Sequence, residues 1–158
     1  LVEQRRMQEA LLLYNRLLDN NPYNYFYWEQ LGYIYYVTGR WGKALECFDY
    51  ELTTNSEAEY AKMMQAYCHY YLKDYRKAYD AFCELTAMYP GNVVSTFFTA
   101  LSLCGQKRYA EALRFFEDLQ LSGELTTAEA LIVDINRTLI YDAAGNVDGA
   151  KMMMEKLL

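Results

Sequence analysis

One histidine, His69, and four cysteines at positions 47, 68, 83 and 104 are the side chains best suited to nucleophilic or metal chemistry in this sequence. A Ser–His or Cys–His site needs an imidazole beside the nucleophile, so any such site must be built on His69. His69 occupies the slot that Tyr35 fills 34 residues earlier, between two helices, and reads as a buried core residue. Zinc requires Cys or His clustered at ligand spacing, and the closest cysteines are 15 residues apart. Each cysteine falls inside a helical pattern and none forms a CxxC pair, so they read as small core hydrophobes of a reducing compartment, the cytoplasm. Gly145-x-x-x-Gly149 lacks the Lys and the preceding strand of a phosphate loop. Asp49, Glu51, Glu57 and Glu59 read as a solvated helix surface with caps. Arg5, Arg6, Lys107 and Arg108 form short basic pairs that serve solubility. The expectation is a non-catalytic protein with no cofactor and no metal.

What stands out instead is aromatic. Seventeen tyrosines are more than a core alone calls for, because each buried phenol needs a hydrogen-bond partner. A net charge of −6 argues against nucleic acid, whose phosphates demand a basic face. No run of 18 apolar residues exists, so no membrane insertion is expected. Leu1 is not an initiator, and the sequence reads as a piece of a longer chain.

The elements that position these tyrosines are repeated. In Trp28–Phe48, two helical segments meet at Thr38–Gly39–Arg40. The first places Trp28, Leu31, Gly32 and Tyr35 on one face, and the second places Ala44, Leu45 and Phe48 on one face. A shift of 34 carries Ala44 to Ala78 and Ala112, and backwards to Ala10. The same shift carries Phe48 to Phe82 and Phe116, Trp41 to Tyr75 and Tyr109, and Gly32 to Ala66 and Ala100. A last echo needs a shift of 38, pairing Ala112 with Ala150, Tyr109 with Val147 and Phe116 with Met154. The four additional residues lie between Glu117 and Leu131, and the helix from about 127 is expected to be a turn longer than its counterparts.

Helices are expected at about 1–18, 25–38, 41–54, 57–72, 75–88, 93–105, 109–121, from 127, and 147–158. Asn24 and Asn92 serve as caps, and Ser56/Glu59 and Thr126/Glu129 as capping boxes. That gives nine helices and no strands. A helix–turn–helix unit of 34 residues, with Trp28, Leu31, Gly32, Tyr35, Ala44 and Phe48 in the pattern positions, resembles the tetratricopeptide repeat. The resemblance implies an all-α, right-handed superhelical solenoid over 1–158 as a single domain. Its units are about 1–24 (a second helix only), 25–58, 59–92, 93–126 and 127–158. The first helix begins mid-unit and the last leaves Met152, Met153, Leu157 and Leu158 uncovered, so self-association through the uncapped ends is also expected.

The resemblance further implies that first helices line a concave groove, on the face not used by Trp28, Leu31, Gly32 and Tyr35. That face carries Phe26, Glu29, Tyr33, Tyr36 and Val37, then Tyr60, Met63, Tyr67, Tyr70 and Tyr71. Val94, Phe97, Leu101, Cys104 and Gly105 follow, and after them Ile132, Ile135, Leu139, Asp142 and Ala143. Helix 57–72 is apolar almost all round, which points to a second apolar face for a ligand. The candidate peptide-binding residues are Phe26, Tyr33, Tyr36, Tyr60, Met63, Tyr67, Tyr70, Tyr71, Phe97 and Leu101. Relatives that clamp a C-terminal carboxylate use Lys, Asn and Arg, whereas the matching places here hold Glu29, Tyr33, Met64, Val94 and Phe98. The expected partner is therefore another protein, bound through an apolar or aromatic segment, with this chain as scaffold or adaptor. The chain is also similar to the small acidic secretion-type chaperones for hydrophobic clients. A structural spacer or oligomerisation segment with an idle groove, and a regulatory module joined to an enzyme, are the other readings.

Overall fold

The computed structural model describes residues 2–158, which form nine α-helices and, among the described residues, no strand. They are α1 (Val2–Asn20), α2 (Tyr25–Val37), α3 (Trp41–Thr54), α4 (Glu59–Tyr71), α5 (Tyr75–Met88), α6 (Val93–Gly105), α7 (Tyr109–Leu121), α8 (Thr127–Ala143) and α9 (Val147–Leu157). Leu1, expected within the first helix, lies outside the described residues.

The repeat fixes where helices start. Four N-caps stand 34 residues apart: Asn24, Ala58, Asn92 and Thr126. Asn24 accepts from the Phe26 N–H at 3.1 Å and Asn92 from the Ser95 N–H at 2.9 Å. Thr126 and Glu129 form the expected capping box. The box expected at Ser56 is absent. α4 begins at Glu59 behind Ala58, which offers no side-chain cap, and the Ser56 hydroxyl donates to Glu57 at 3.4 Å. Ser56 lies two residues ahead of the phase that governs the other three caps, so its hydroxyl cannot reach the first-turn N–H groups of α4. Because Thr126 keeps the 34-residue phase, the four additional residues are a turn of helix within α8, 17 residues against 13 in α6.

First helices end by the same rule. Gly39, Lys73, Lys107 and Gly145 hold φ of +74°, +63°, +60° and +74°. This left-handed residue lets the chain reverse into the second helix, and glycine adopts it without the Cβ penalty that the two lysines carry.

The chain divides into two compact units, one through Ala81 and one from Phe82 to Leu158. In the first, Leu18, Leu31 and Cys47 bury one cluster with Tyr14, Trp28 and Tyr35 around it. Ala44, Phe48, Ala61, Met64 and Cys68 bury a second. Gly32 is required by close approach of α2 to α3: a Cβ there would lie 2.9 Å from two Phe48 ring atoms and 3.1 Å from the Cys47 Cβ. The Phe48 ring is fully buried and cannot swing away.

In the second unit the Phe82 and Phe98 rings stack at 5.2 Å, and Phe116 meets the edge of Phe97 at 5.5 Å. Met153 is buried and Met154 is exposed, reversing the slot expected for Met154 and the exposure expected for Met153. The phenylalanine slot is closed elsewhere by the next repeat's first helix, as Tyr60 closes over Phe48 at 6.3 Å. No helix follows α9 among the described residues to do this. Asp134 ties three helices together, accepting from Gln120 of α7 and, at 2.8 Å, from Lys156 of α9, with Arg137 at 3.7 Å.

Candidate functional site

The open faces of α2 and α4 carry the aromatic side chains of the first unit. At their C-terminal ends five tyrosines and one tryptophan form a continuous cluster. Tyr36 meets Tyr67 at 6.4 Å and Tyr71 at 5.9 Å, and Tyr70 meets Tyr71 at 5.5 Å and Tyr75 at 5.7 Å. Tyr71 also stacks on Trp41 at 5.1 Å. Burial first, and then interaction with Tyr71, pushes the Tyr36 phenol well above its ordinary pKa, which keeps that phenol neutral at any physiological pH. Tyr67 and Tyr70 are half-buried within it, held more by their neighbours than a freely exposed patch would be.

Phe26 and Tyr33 are the most open of the candidates, each 48% exposed. Phe26 sits at the start of α2 beside Tyr27, away from the cluster. Tyr33 joins Tyr60, Glu29 and Gln30 around a hollow of about 420 Å³. Met63 is half-buried.

In the second unit the corresponding face, on α6 and α8, is aliphatic. Val93, Val94, Phe97, Phe98, Leu125, Ile132 and Val133 line a hollow of about 170 Å³, with Glu129 as the sole charged residue in its wall. Phe97 is half-buried, its ring packed against Phe98 and Phe116. Leu101 is half-buried, and Ile135 and Leu139 are exposed further along α8.

One residue of this region departs from the sequence expectation. Glu51, expected on a solvated surface, is only 1% exposed, and its Oε2 has no hydrogen-bond partner. Burial first, and then repulsion from Glu29, pushes its pKa up to about 7. Burial first, and then Glu29, Tyr33 and Glu51, raise the pKa of Tyr60, so the acids of α2 and α3 both act on this phenol of α4. The signal was present in the repeat phase. The places equivalent to Glu51 hold Leu17, Leu85, Leu119 and Leu157, and those equivalent to Glu29 hold Met63, Phe97 and Ile135.

The groups with catalytic potential are dispersed. His69 is half-buried rather than in the core, and burial lowers its pKa despite the nearby Asp74 and Asp49. All four cysteines are free, and burial pushes Cys47 and Cys68 up to about 12 and Cys104 up to about 11, which keeps these three thiols protonated and poorly nucleophilic. Among the described residues no three His, Cys, Asp or Glu side chains gather as a metal site would require. No helix of the described residues is long and apolar enough to cross a membrane.

A family model described as tetratricopeptide repeat matches residues 1–60 and 29–93. The chain is 24% identical over 119 residues to a Danio rerio protein described as intraflagellar transport protein 70A; the match covers 75% of this chain and spans 18% of that protein's length. Its fold is similar to MamA from Desulfovibrio magneticus RS-1, with a TM-score of 0.82 at 14% identity over 99% of this chain and 86% of that one. It is also similar to YrrB, described as a TPR protein with an unusual peptide-binding site, with a TM-score of 0.77 at 17% identity over 99% and 79% of the two chains. A tetratricopeptide repeat protein from Parabacteroides merdae gives 0.77 at 23% identity, over 98% and 59%. At these identities the structural likeness is one of fold.

Proposed function

Because the chain belongs to the tetratricopeptide repeat family, all-α solenoids that serve as protein–protein interaction scaffolds, we propose that it binds an apolar or aromatic segment of another protein along the open faces of its first helices. The observation that carries this reading is the exposure of large apolar side chains on those faces. Phe26, Tyr33, Tyr60 and Tyr71 stand open on α2 and α4, and Val94, Ile132 and Leu139 on α6 and α8. Exposed apolar surface of this kind, within each unit taken by itself, marks interaction sites. Tyrosine suits such a face, combining a large contact area, a tip that tolerates water and few rotors to freeze. YrrB, similar in fold, is described as having a peptide-binding site, which adds support by analogy.

The test is a proteome-derived peptide display selection on the wild type and on a Phe26→Ala/Tyr33→Ala variant, with thermal unfolding of both in parallel. Because both side chains are about half exposed, the variant is expected to fold with little loss of stability. Enriched peptides are expected to share an apolar or aromatic pattern and to bind the variant at least tenfold more weakly. A folded wild type that enriches no peptide would overturn the reading.

A second use of the molecule is supported by a separate observation: Leu12 and Leu13 on α1, and Met152 and Met154 on α9, are all more than half exposed. Self-association through these helices predicts a concentration-dependent mass in light scattering, lost in a Leu12→Glu/Leu13→Glu variant.

A further inference from the structure

The hollow between α2 and α4 has a chemistry that a purely apolar groove does not need. One carboxylate, Glu29, stands in its wall, and a second, the buried Glu51 of α3, is coupled to it electrostatically; both occupy places where the other repeats carry Met, Phe, Ile or Leu. Glu51 is 1% exposed, with one carboxylate oxygen lacking a partner, at a place where Leu85 and Leu119 are comparably buried. The fold accepts leucine there, so the buried acid is a cost without structural return. Its electrostatic couplings run to Glu29 and Tyr60, both in the wall of the hollow. Tyr33 and Tyr60 supply aromatic surface in the same wall as Glu29, and the chain as a whole carries a net charge of −6.

We propose that this hollow is a cation subsite that receives a lysine or arginine side chain of the bound segment, with Glu29 as the direct partner, Glu51 behind it and Tyr33 and Tyr60 as aromatic walls. The inference deepens the peptide-binding reading above and rests on it. A cation entering the hollow relieves the repulsion between the two carboxylates and gives the buried one a counter-charge. Phenol faces add attraction to an ammonium or guanidinium. A bare divalent metal is a poorer fit, since hard cations take six or more oxygen ligands and no three acidic, His or Cys side chains gather among the described residues. The charged group facing Glu51 from α2 is Glu29, and the titratable phenols nearby are Tyr33 of α2 and Tyr60 of α4.

Two measurements test the subsite, and they fail differently. In the peptide selection, wild-type binders are expected to carry a Lys or Arg at a fixed place within the apolar pattern. On a Glu29→Gln/Glu51→Leu variant the basic position should disappear while the apolar pattern persists. Wild-type binders that share an apolar pattern without a basic position would overturn the subsite and leave the groove standing. Should no peptide be enriched, the groove fails, and the subsite is decided separately. Carboxyl carbon-13 NMR follows the Glu51 titration in millimolar N-acetyl-arginine amide, with N-acetyl-norleucine amide as the neutral control. A titration midpoint at least tenfold higher in proton concentration with the arginine probe, and unchanged with the neutral one, supports the subsite; equal midpoints overturn it.

Discussion

Glu51 makes the stability of this protein depend on pH in an unusual direction. Its pKa rises from 4.5 to about 7 on folding, so the folded state binds the proton more tightly than the unfolded chain. The stability that protonated Glu51 contributes is fully present below pH 4.5 and is lost as pH rises through about 7. A tenfold difference in proton affinity between the folded and unfolded states is worth about 1.36 kcal/mol, so the whole effect is about 3 kcal/mol. Between pH 5 and pH 8 the change is about 2.5 kcal/mol, a displacement of roughly 5–10 °C in Tm for a chain of this size. His69 works the other way: burial lowers its pKa from 6.5, so charging it at pH 5 costs stability. A His69→Gln background removes that opposing contribution.

The assay is urea unfolding at pH 5, 6, 7 and 8, followed by tryptophan fluorescence. Both tryptophans, Trp28 and Trp41, lie in the compact unit that contains Glu51, so the signal reports on that unit. In the His69→Gln background the unfolding free energy is expected to fall by about 2.5 kcal/mol from pH 5 to pH 8. Adding Glu51→Gln should flatten the profile and stabilise the protein at pH 8. A profile with the same slope with or without Glu51 would refute the assignment of an uncompensated buried carboxyl to this position.

Other expectations follow from the same geometry. Ala58→Asn supplies the cap that Asn24 and Asn92 provide in phase, on the same extended backbone, and should stabilise the protein by about 1 kcal/mol in thermal unfolding. Lys73→Gly and Lys107→Gly, at φ of +63° and +60°, should each raise stability by about 0.5–1 kcal/mol, whereas a lysine-to-alanine change there should not. Asp134→Ala removes the acceptor shared by Gln120 and Lys156 beside the half-buried Arg137, and should cost about 2–3 kcal/mol in urea unfolding. Burial pushes the Asp134 pKa up, but the hydrogen bonds from Lys156 and Gln120 and the charges of Lys156 and Arg137 together hold it below its usual value. Its contribution is therefore present above pH 3.8 and is lost on further acidification through the folded-state pKa, the opposite sense to Glu51.

The repeat was legible because each unit is one helix pair, and the pair leaves marks at fixed offsets: a small residue, an aromatic, an Ala and a Phe. Caps at Asn24, Asn92 and Thr126 were legible for the same reason. Ser56 misled because its type and the Glu three residues on fit a capping box, while the phase pointed to Ala58. Composition outvoted register there, and register decides the backbone. Glu51 was hidden by a sound general rule, that an acid on a helix faces water. Only comparison with Leu17, Leu85, Leu119 and Leu157 exposes it as an acid at a core position. The depth of Tyr67 and Tyr70 was not legible at all. A tyrosine is compatible with the core, a rim or an open face, and which of these holds depends on neighbours brought by other helices.

That half-burial changes how the aromatic face should be probed. Rings already fixed by their neighbours lose little freedom when a ligand arrives, so the Tyr36, Tyr67, Tyr70 and Tyr71 cluster is preorganised for contact. The same packing makes each of them part of what holds α2 and α4 together. On the proposed reading, truncating Tyr67 would remove a ligand contact and a structural one at once, and a loss of binding in that variant would not separate the two. Tyr33 and Phe26, open over about half their surface, are held less tightly, so on the same proposal each would lose more freedom on binding and contribute less per contact. Their truncation, however, reads on binding with little effect on the fold. The residues most informative about the function of this face are therefore its less ordered ones, and the tyrosine cluster is best examined by Tyr→Phe changes. These keep the ring contacts and remove only the hydroxyl.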